Sequence, residues 1–175
     1  MILKLKRTPG IYLVGFMGCG KTTIGERLAD ELGWRFVDLD RDIEAEHGVT
    51  IADLFDARGE EEFRTMEASA LRKRIREVER GQATVMALGG GTFVQPANAE
   101  LVSEHGIAIW LKCPFPLIVS RTAQTGHRPL ARDPKRFEAL YIERQPAYEC
   151  AEHHIAIESD DPRVAVSAIL RLPLF

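Results

Sequence analysis

The sequence predicts an α/β protein, a parallel sheet covered by helices on both faces. Three observations lead there. Short apolar runs alternate with longer segments of helical periodicity along the chain. The runs lack the in–out alternation of a half-exposed strand, as expected of strands buried on both sides. The first run enters a helix through a glycine-rich turn, the arrangement of a phosphate-binding loop. The 175 residues suit one domain, residues 1–175, with its core over about residues 11–171.

Each element has a local reason. Ile11–Val14 is an apolar run. Lys21–Leu32 places Ile24, Leu28, Ala29 and Leu32 at helical spacing and stops at Gly33. Arg35–Leu39 reads as the second strand, and Asp40–His47 as a helix ended by Gly48. Thr50 caps a short helix through Ala57, which Gly59 breaks, and Glu60–Arg80 is a long charged helix. Thr84–Leu88 is a strand followed by three glycines. Helix Pro96–Glu104 precedes strand Ile107–Leu111. Helices Phe115–Thr125 and Arg136–Tyr148 flank residues 125–136, "TGHRPLARDPKR", which read as an exposed mobile loop. His154–Ile157 is the last strand, and Asp161-Pro162 opens the last helix.

Composition narrows the function. A formal net charge of -3 gives no basic surplus for nucleic acid or an anionic membrane. No apolar run is long enough to span a bilayer, and no signal-peptide pattern opens the chain. Cys19, Cys113 and Cys150 lack metal-like spacing, and an odd, sparse set suits the cytoplasm.

Ligands of parallel sheets bind at the carboxyl ends of the strands. Gly15-x-x-x-x-Gly20-Lys21-Thr22 lies there, between strand and helix. Its glycines let successive N–H groups face one anion, and the helix N-terminus adds its dipole. Lys21 reaches terminal phosphates and Thr22 can ligate Mg²⁺. Within the loop, Cys19 reads as a small filler. Next, side chains alternate along the second strand, so Asp38 and Asp40 point the same way. One could hold Mg²⁺ and the other orient a hydroxyl for attack. The alternative is that Asp40 caps the following helix. Gly89, Gly90 and Gly91 make sense where a ligand must approach the backbone closely, the alternative being a loose loop. Arg64 and Glu67 stand three apart on a helix, so pairing would fix the Arg64 fork for a carboxylate. Arg121, Arg128 and Arg144 complete the candidates, with Arg128 in the loop where a lid over the γ-phosphate would lie. An ordinary surface charge is the alternative for each.

The segments "GFMGCGKTTIGERLA", "DLD", "IADLFDARGEEEFRTMEASAL", "ALGGGTF", "RPL" and "ERQPAYE" occur in this order. Together they resemble the shikimate kinase family over nearly the whole chain. The resemblance implies a three-layer P-loop kinase fold, a five-stranded parallel sheet of order 2-3-1-4-5 with a mobile lid. It implies transfer of the γ-phosphoryl of ATP to the 3-hydroxyl of shikimate, a step in chorismate and aromatic amino acid biosynthesis. Mg²⁺ is the implied cofactor, ATP and shikimate the partners, and a monomer the implied state.

Position by position, the resemblance gives the ATP site Gly18, Cys19, Gly20, Lys21, Thr22 and Thr23, with Arg121 and Arg128. It gives the metal Thr22 and Asp38. Shikimate falls to Asp40, Phe55, Phe63, Arg64, Gly89, Gly90, Gly91 and Arg144, with Glu67 supporting Arg64. Lys21, Asp40 and Arg128 are the implied catalytic set. Residues 1–10, Arg132 and Arg163 receive no firm role. Two rivals stay open. Another small-molecule kinase, such as a gluconate kinase, would keep the phosphate loop but need no carboxylate clamp. A non-catalytic nucleotide-binding module would not need Lys21, Asp38, Asp40 and Arg128 together.

Overall fold

A computed structural model describes residues 10–125 and 133–174. Five parallel strands, β1 (Gly10–Val14), β2 (Arg35–Asp38), β3 (Thr84–Ala87), β4 (Ile107–Lys112) and β5 (His153–Ala156), form one sheet of order β2-β3-β1-β4-β5. Every residue of β1 and β3 is buried, so both faces of the central sheet are covered. The edge strands β2 and β5 are only partly buried. Ile11 pairs with Val85 on one side and with Ile107 on the other. The loop after β1 therefore opens where the strand order reverses, the usual ligand crevice of such sheets.

Around the sheet lie α1 (Lys21–Leu32), α2 (Leu39–His47), α3 (Ile51–Glu79), α4 (Pro96–His105), α5 (Phe115–Thr125), α6 (Pro134–Tyr148) and α7 (Pro162–Leu170). Helix α1 packs on α7, and α3 packs on both α2 and α4. Thr50 caps α3 by accepting from the Asp53 N–H at 3.1 Å. As expected, Gly59 interrupts the helix: it takes φ 80 and ψ 169, a non-helical conformation closed to side-chain-bearing residues, and α3 is two helical stretches joined across that kink. Helix α6 starts two residues before the expected Arg136, since Asp133 caps it and Pro134 fills its first position.

One expectation needs correction. Strand β2 ends at Asp38, one residue early, and Leu39 already belongs to α2. Asp38 is the helix cap, accepting from the Arg41 N–H at 3.2 Å. Asp40 stands in the first helical turn, so strand alternation does not relate it to Asp38. Helix α2 is tied down by Arg74 of α3, which donates from Nε to Asp42 at 2.5 Å and from Nη1 to Glu77 at 2.9 Å. Arg35 of β2 donates to the same Glu77 oxygen at 2.8 Å. This network sets the position of the turn that carries Asp40.

Candidate active site

Gly15, Gly18 and Gly20 all have positive φ, and Gly20 is the N-cap of α1. Side-chain-bearing residues rarely adopt these angles, and they let the loop wind round the helix N-terminus. Lys21 Nζ donates to the carbonyls of Gly15 at 2.7 Å and Phe16 at 3.1 Å. Its charge therefore sits within the loop, where a phosphate oxygen would compete with neutral carbonyls for it. Cys19 is fully buried, as a filler should be, and its backbone N–H donates to Phe16 O. Thr23 lies exposed one position beyond Thr22 on α1.

The Thr22 hydroxyl donates to Asp38 Oδ2 at 2.6 Å. Hydroxyl and carboxylate oxygens are the donors Mg²⁺ prefers. No cluster of three or more His, Cys, Asp or Glu side chains that could hold a metal occurs among the described residues. The oxygen donors of the Thr22–Asp38 pair fit Mg²⁺, which usually keeps several waters and binds through few protein groups beside a nucleotide's phosphates.

The three glycines after β3 each adjoin a different functional side chain. A Cβ on Gly89 would lie 2.7 Å from Asp40 Oδ1, and one on Gly90 would lie 3.1 Å from Arg144 Nη1. A Cβ on Gly91 would lie 2.6 Å from Arg64 Nη1. None of the three has positive φ, so glycine is needed here for space rather than for backbone conformation. One carboxylate and two guanidinium groups thus converge on one stretch of bare backbone. Gly91→Ala should push Arg64 off its partner and raise the KM of the acceptor about tenfold. Unchanged acceptor kinetics in that variant would show that the close approach has no functional role.

Arg64 Nη1 donates to Glu67 Oε1 at 2.8 Å. Glu67 is 1% exposed, and its other oxygen accepts from the Thr92 hydroxyl at 2.7 Å. With both oxygens engaged, Glu67 acts through Arg64. The Arg64 guanidinium also lies over two rings, 5.6 Å from Phe55 and 5.4 Å from Phe63. Phe63 is buried and backs the guanidinium, while Phe55 is the more open ring of the pair. Arg64 Nε is buried with no acceptor among the described residues, so the fork keeps unspent donors. Arg144 lies over the Phe16 ring at 5.8 Å, joining α6 to the phosphate loop. Arg121 also touches that loop, donating from Nη1 to Gly18 O at 3.0 Å and from Nη2 to Asp160 at 2.9 Å.

A model of the shikimate kinase family matches residues 17–172. The chain belongs to the shikimate kinase family. The shikimate kinase of Persephonella marina is 37% identical over 161 residues, covering 91% of this chain and 96% of that protein. That of Halorhodospira halophila is 42% identical over 146 residues, covering 81% and 80%. A solved shikimate kinase from Acinetobacter baumannii in complex with shikimate superposes with TM-score 0.85 at 37% identity, covering 94% of this chain and 92% of that one.

In this member of the shikimate kinase family, Asp40 is electrostatically the most unusual acid of the site. Burial, then the neighbouring Asp38 carboxylate, push it up from 3.8 to about 6. Glu67 and Glu44 add to the rise, and Lys21 opposes it. A carboxylate that titrates near neutrality is suited to accept a hydroxyl proton.

Some predicted residues fall elsewhere. Arg163 pairs with Asp161 at 2.8 Å on the exposed start of α7. Arg128 and Arg132 lie outside the described residues. Sequence reasoning also passed over four residues. Thr92 and Asn98 hold the loop from below, with Asn98 Nδ2 donating to Thr92 O at 3.1 Å. Phe16 lies beneath Arg144, and Tyr148 binds Gly90 O. Thr92 follows the glycines and Tyr148 follows Arg144 by one helical turn, but neither spacing signals a contact across the fold.

Proposed function

We propose that this protein transfers the γ-phosphoryl group of MgATP to the 3-hydroxyl of shikimate, giving shikimate 3-phosphate and ADP. One observation carries the reading. Gly89, Gly90 and Gly91 bring Asp40, Arg144 and Arg64 around one piece of backbone, beside a phosphate loop. A ring bearing one carboxylate and several hydroxyls matches that set. The carboxylate takes the two guanidinium groups, and a hydroxyl takes Asp40. The complex of the Acinetobacter relative with shikimate supports the same substrate.

The steps assigned to this chain follow. The phosphate loop and Lys21 bind the β- and γ-phosphates. Thr22 and Asp38 would hold the nucleotide's Mg²⁺, which would neutralise charge on the phosphates. Asp40 accepts the hydrogen bond of the 3-hydroxyl. As its oxygen bonds to the γ-phosphorus and the bond to the ADP oxygen breaks, the hydroxyl proton passes to Asp40. Arg64 and Arg144 orient the ring through its carboxylate, and Glu67 orients Arg64. Arg121 lies on the nucleotide side. Arg128 is assigned to the transferring phosphoryl group, and residues 125–136 to a lid, by family resemblance alone. We also assign a single domain acting as a cytoplasmic monomer on small molecules. Among the described residues no helix is long and apolar enough to cross a membrane.

A gluconate-type acceptor would also offer a carboxylate and hydroxyls to these residues, so it is the match to the shikimate kinase family and to a relative solved with shikimate that favours shikimate. Calorimetric titration tests the assignment. Arg64→Ala should weaken shikimate binding at least about tenfold and leave MgATP binding within about twofold. Equal losses for both ligands would contradict it.

A further inference from the structure

Tyr148, the last residue of α6, is fully buried. Its ring lies 6.0 Å from Trp110 of β4. Its hydroxyl donates to Gly90 O at 2.5 Å, a link between α6 and the glycine run. Burial holds its pKa well above the ordinary phenol value, so the group remains a donor. Arg144 stands one helical turn before it on α6, with its guanidinium beside the same Gly90. The Phe16 ring supports Arg144 from the phosphate-loop side.

Fastening the Gly90 carbonyl has a consequence for the site. A planar trans peptide points its N–H opposite to its C=O. With the Gly90 carbonyl tied to Tyr148, the Gly91 N–H is fixed facing away from Tyr148. A Gly90–Gly91 peptide free to rotate could instead turn a carbonyl oxygen toward a bound carboxylate, which would repel it.

We propose that Tyr148 is a positioning residue for the acceptor's carboxylate, acting through the Gly90 carbonyl and the adjacent Arg144 guanidinium. The proposal rests on the shikimate reading above and extends it to a residue that does not touch the substrate.

Tyr148→Phe keeps the ring against Trp110 and removes only the hydroxyl. The shikimate KM should rise about tenfold, with the MgATP KM within about twofold and kcat lowered less than about threefold. In a double-mutant cycle with Arg144→Ala, the two effects on the shikimate KM should combine to clearly less than their product, since both act on one carboxylate. An unchanged shikimate KM in Tyr148→Phe overturns the proposal. So does a parallel rise of both KM values with multiplicative effects in the cycle, which is the pattern of a merely structural hydroxyl. Wild-type protein that fails to phosphorylate shikimate would remove the substrate reading, and this proposal with it, before any variant is compared.

Discussion

Asp40→Asn should lose about 10²–10⁴ in kcat while the protein becomes more stable at neutral pH. The two effects have one cause. Asp40 titrates near 6 in the folded protein against 3.8 for an unperturbed side chain, chiefly because it is buried beside Asp38. The folded state therefore binds a proton that the unfolded state has released between those values. The stability due to that proton is fully present below pH 3.8 and lost as pH rises through about 6. Above that, the wild type carries a poorly solvated carboxylate that asparagine lacks. The variant should gain about 2 kcal/mol at pH 7.5, a melting point higher by about 4–8 °C, and the gain should vanish near pH 4. The acid limb of wild-type kcat/KM should fall near pH 6, as the same group takes up its proton. Melting curves and pH–rate profiles on the same preparations check both halves. A variant that keeps more than about a tenth of wild-type turnover would reduce Asp40 to a hydroxyl-orienting role.

Lys21→Met should lower kcat by about 10²–10³ and raise the KM for MgATP, with shikimate affinity within about twofold. Methionine keeps the length of the side chain and removes its charge. The folded protein should tolerate this, because the partners of Lys21 are the carbonyls of Gly15 and Phe16 and the Cys19 sulfur rather than a carboxylate. A second effect follows from proximity. Lys21 is the charge that holds Asp40 down. Without it, the acid limb of the residual activity should move to a pH above the wild-type value. Kinetics of the variant across pH, beside nucleotide and shikimate titrations, give all four quantities. Near-normal turnover would remove Lys21 from phosphoryl transfer.

How far the fold can be read from the chain depends on the range of each interaction. The phosphate loop is local: four apolar residues, a glycine pattern and a helix start lie within one stretch, and the structure follows it residue for residue over α1. Gly59 was legible as an interruption, and its backbone is non-helical in the structure, because only glycine takes those angles without strain. The end of β2 was misjudged by one residue, because Asp38 can serve as strand residue or helix cap, and the cap wins once Thr22 engages its other oxygen. Arg64 and Glu67 were legible as a helical pair. That Glu67 is buried, and that Thr92 takes its second oxygen, depends on the loop after β3 meeting α3 and has no counterpart in spacing. The glycine run was read as a place where a ligand approaches the backbone. The approaching groups in the structure are Asp40, Arg64 and Arg144, which come from three separate parts of the chain.

The most direct test of the account is acceptor-dependent release of ADP from MgATP. A coupled assay should be run with shikimate, gluconate, AMP or no acceptor. The account predicts saturable ADP release with shikimate and only background with the others. Release that ignores shikimate and follows another acceptor would leave the fold and the phosphate loop standing, and would contradict the assignment of Arg64, Arg144 and Asp40 to a carboxylated ring.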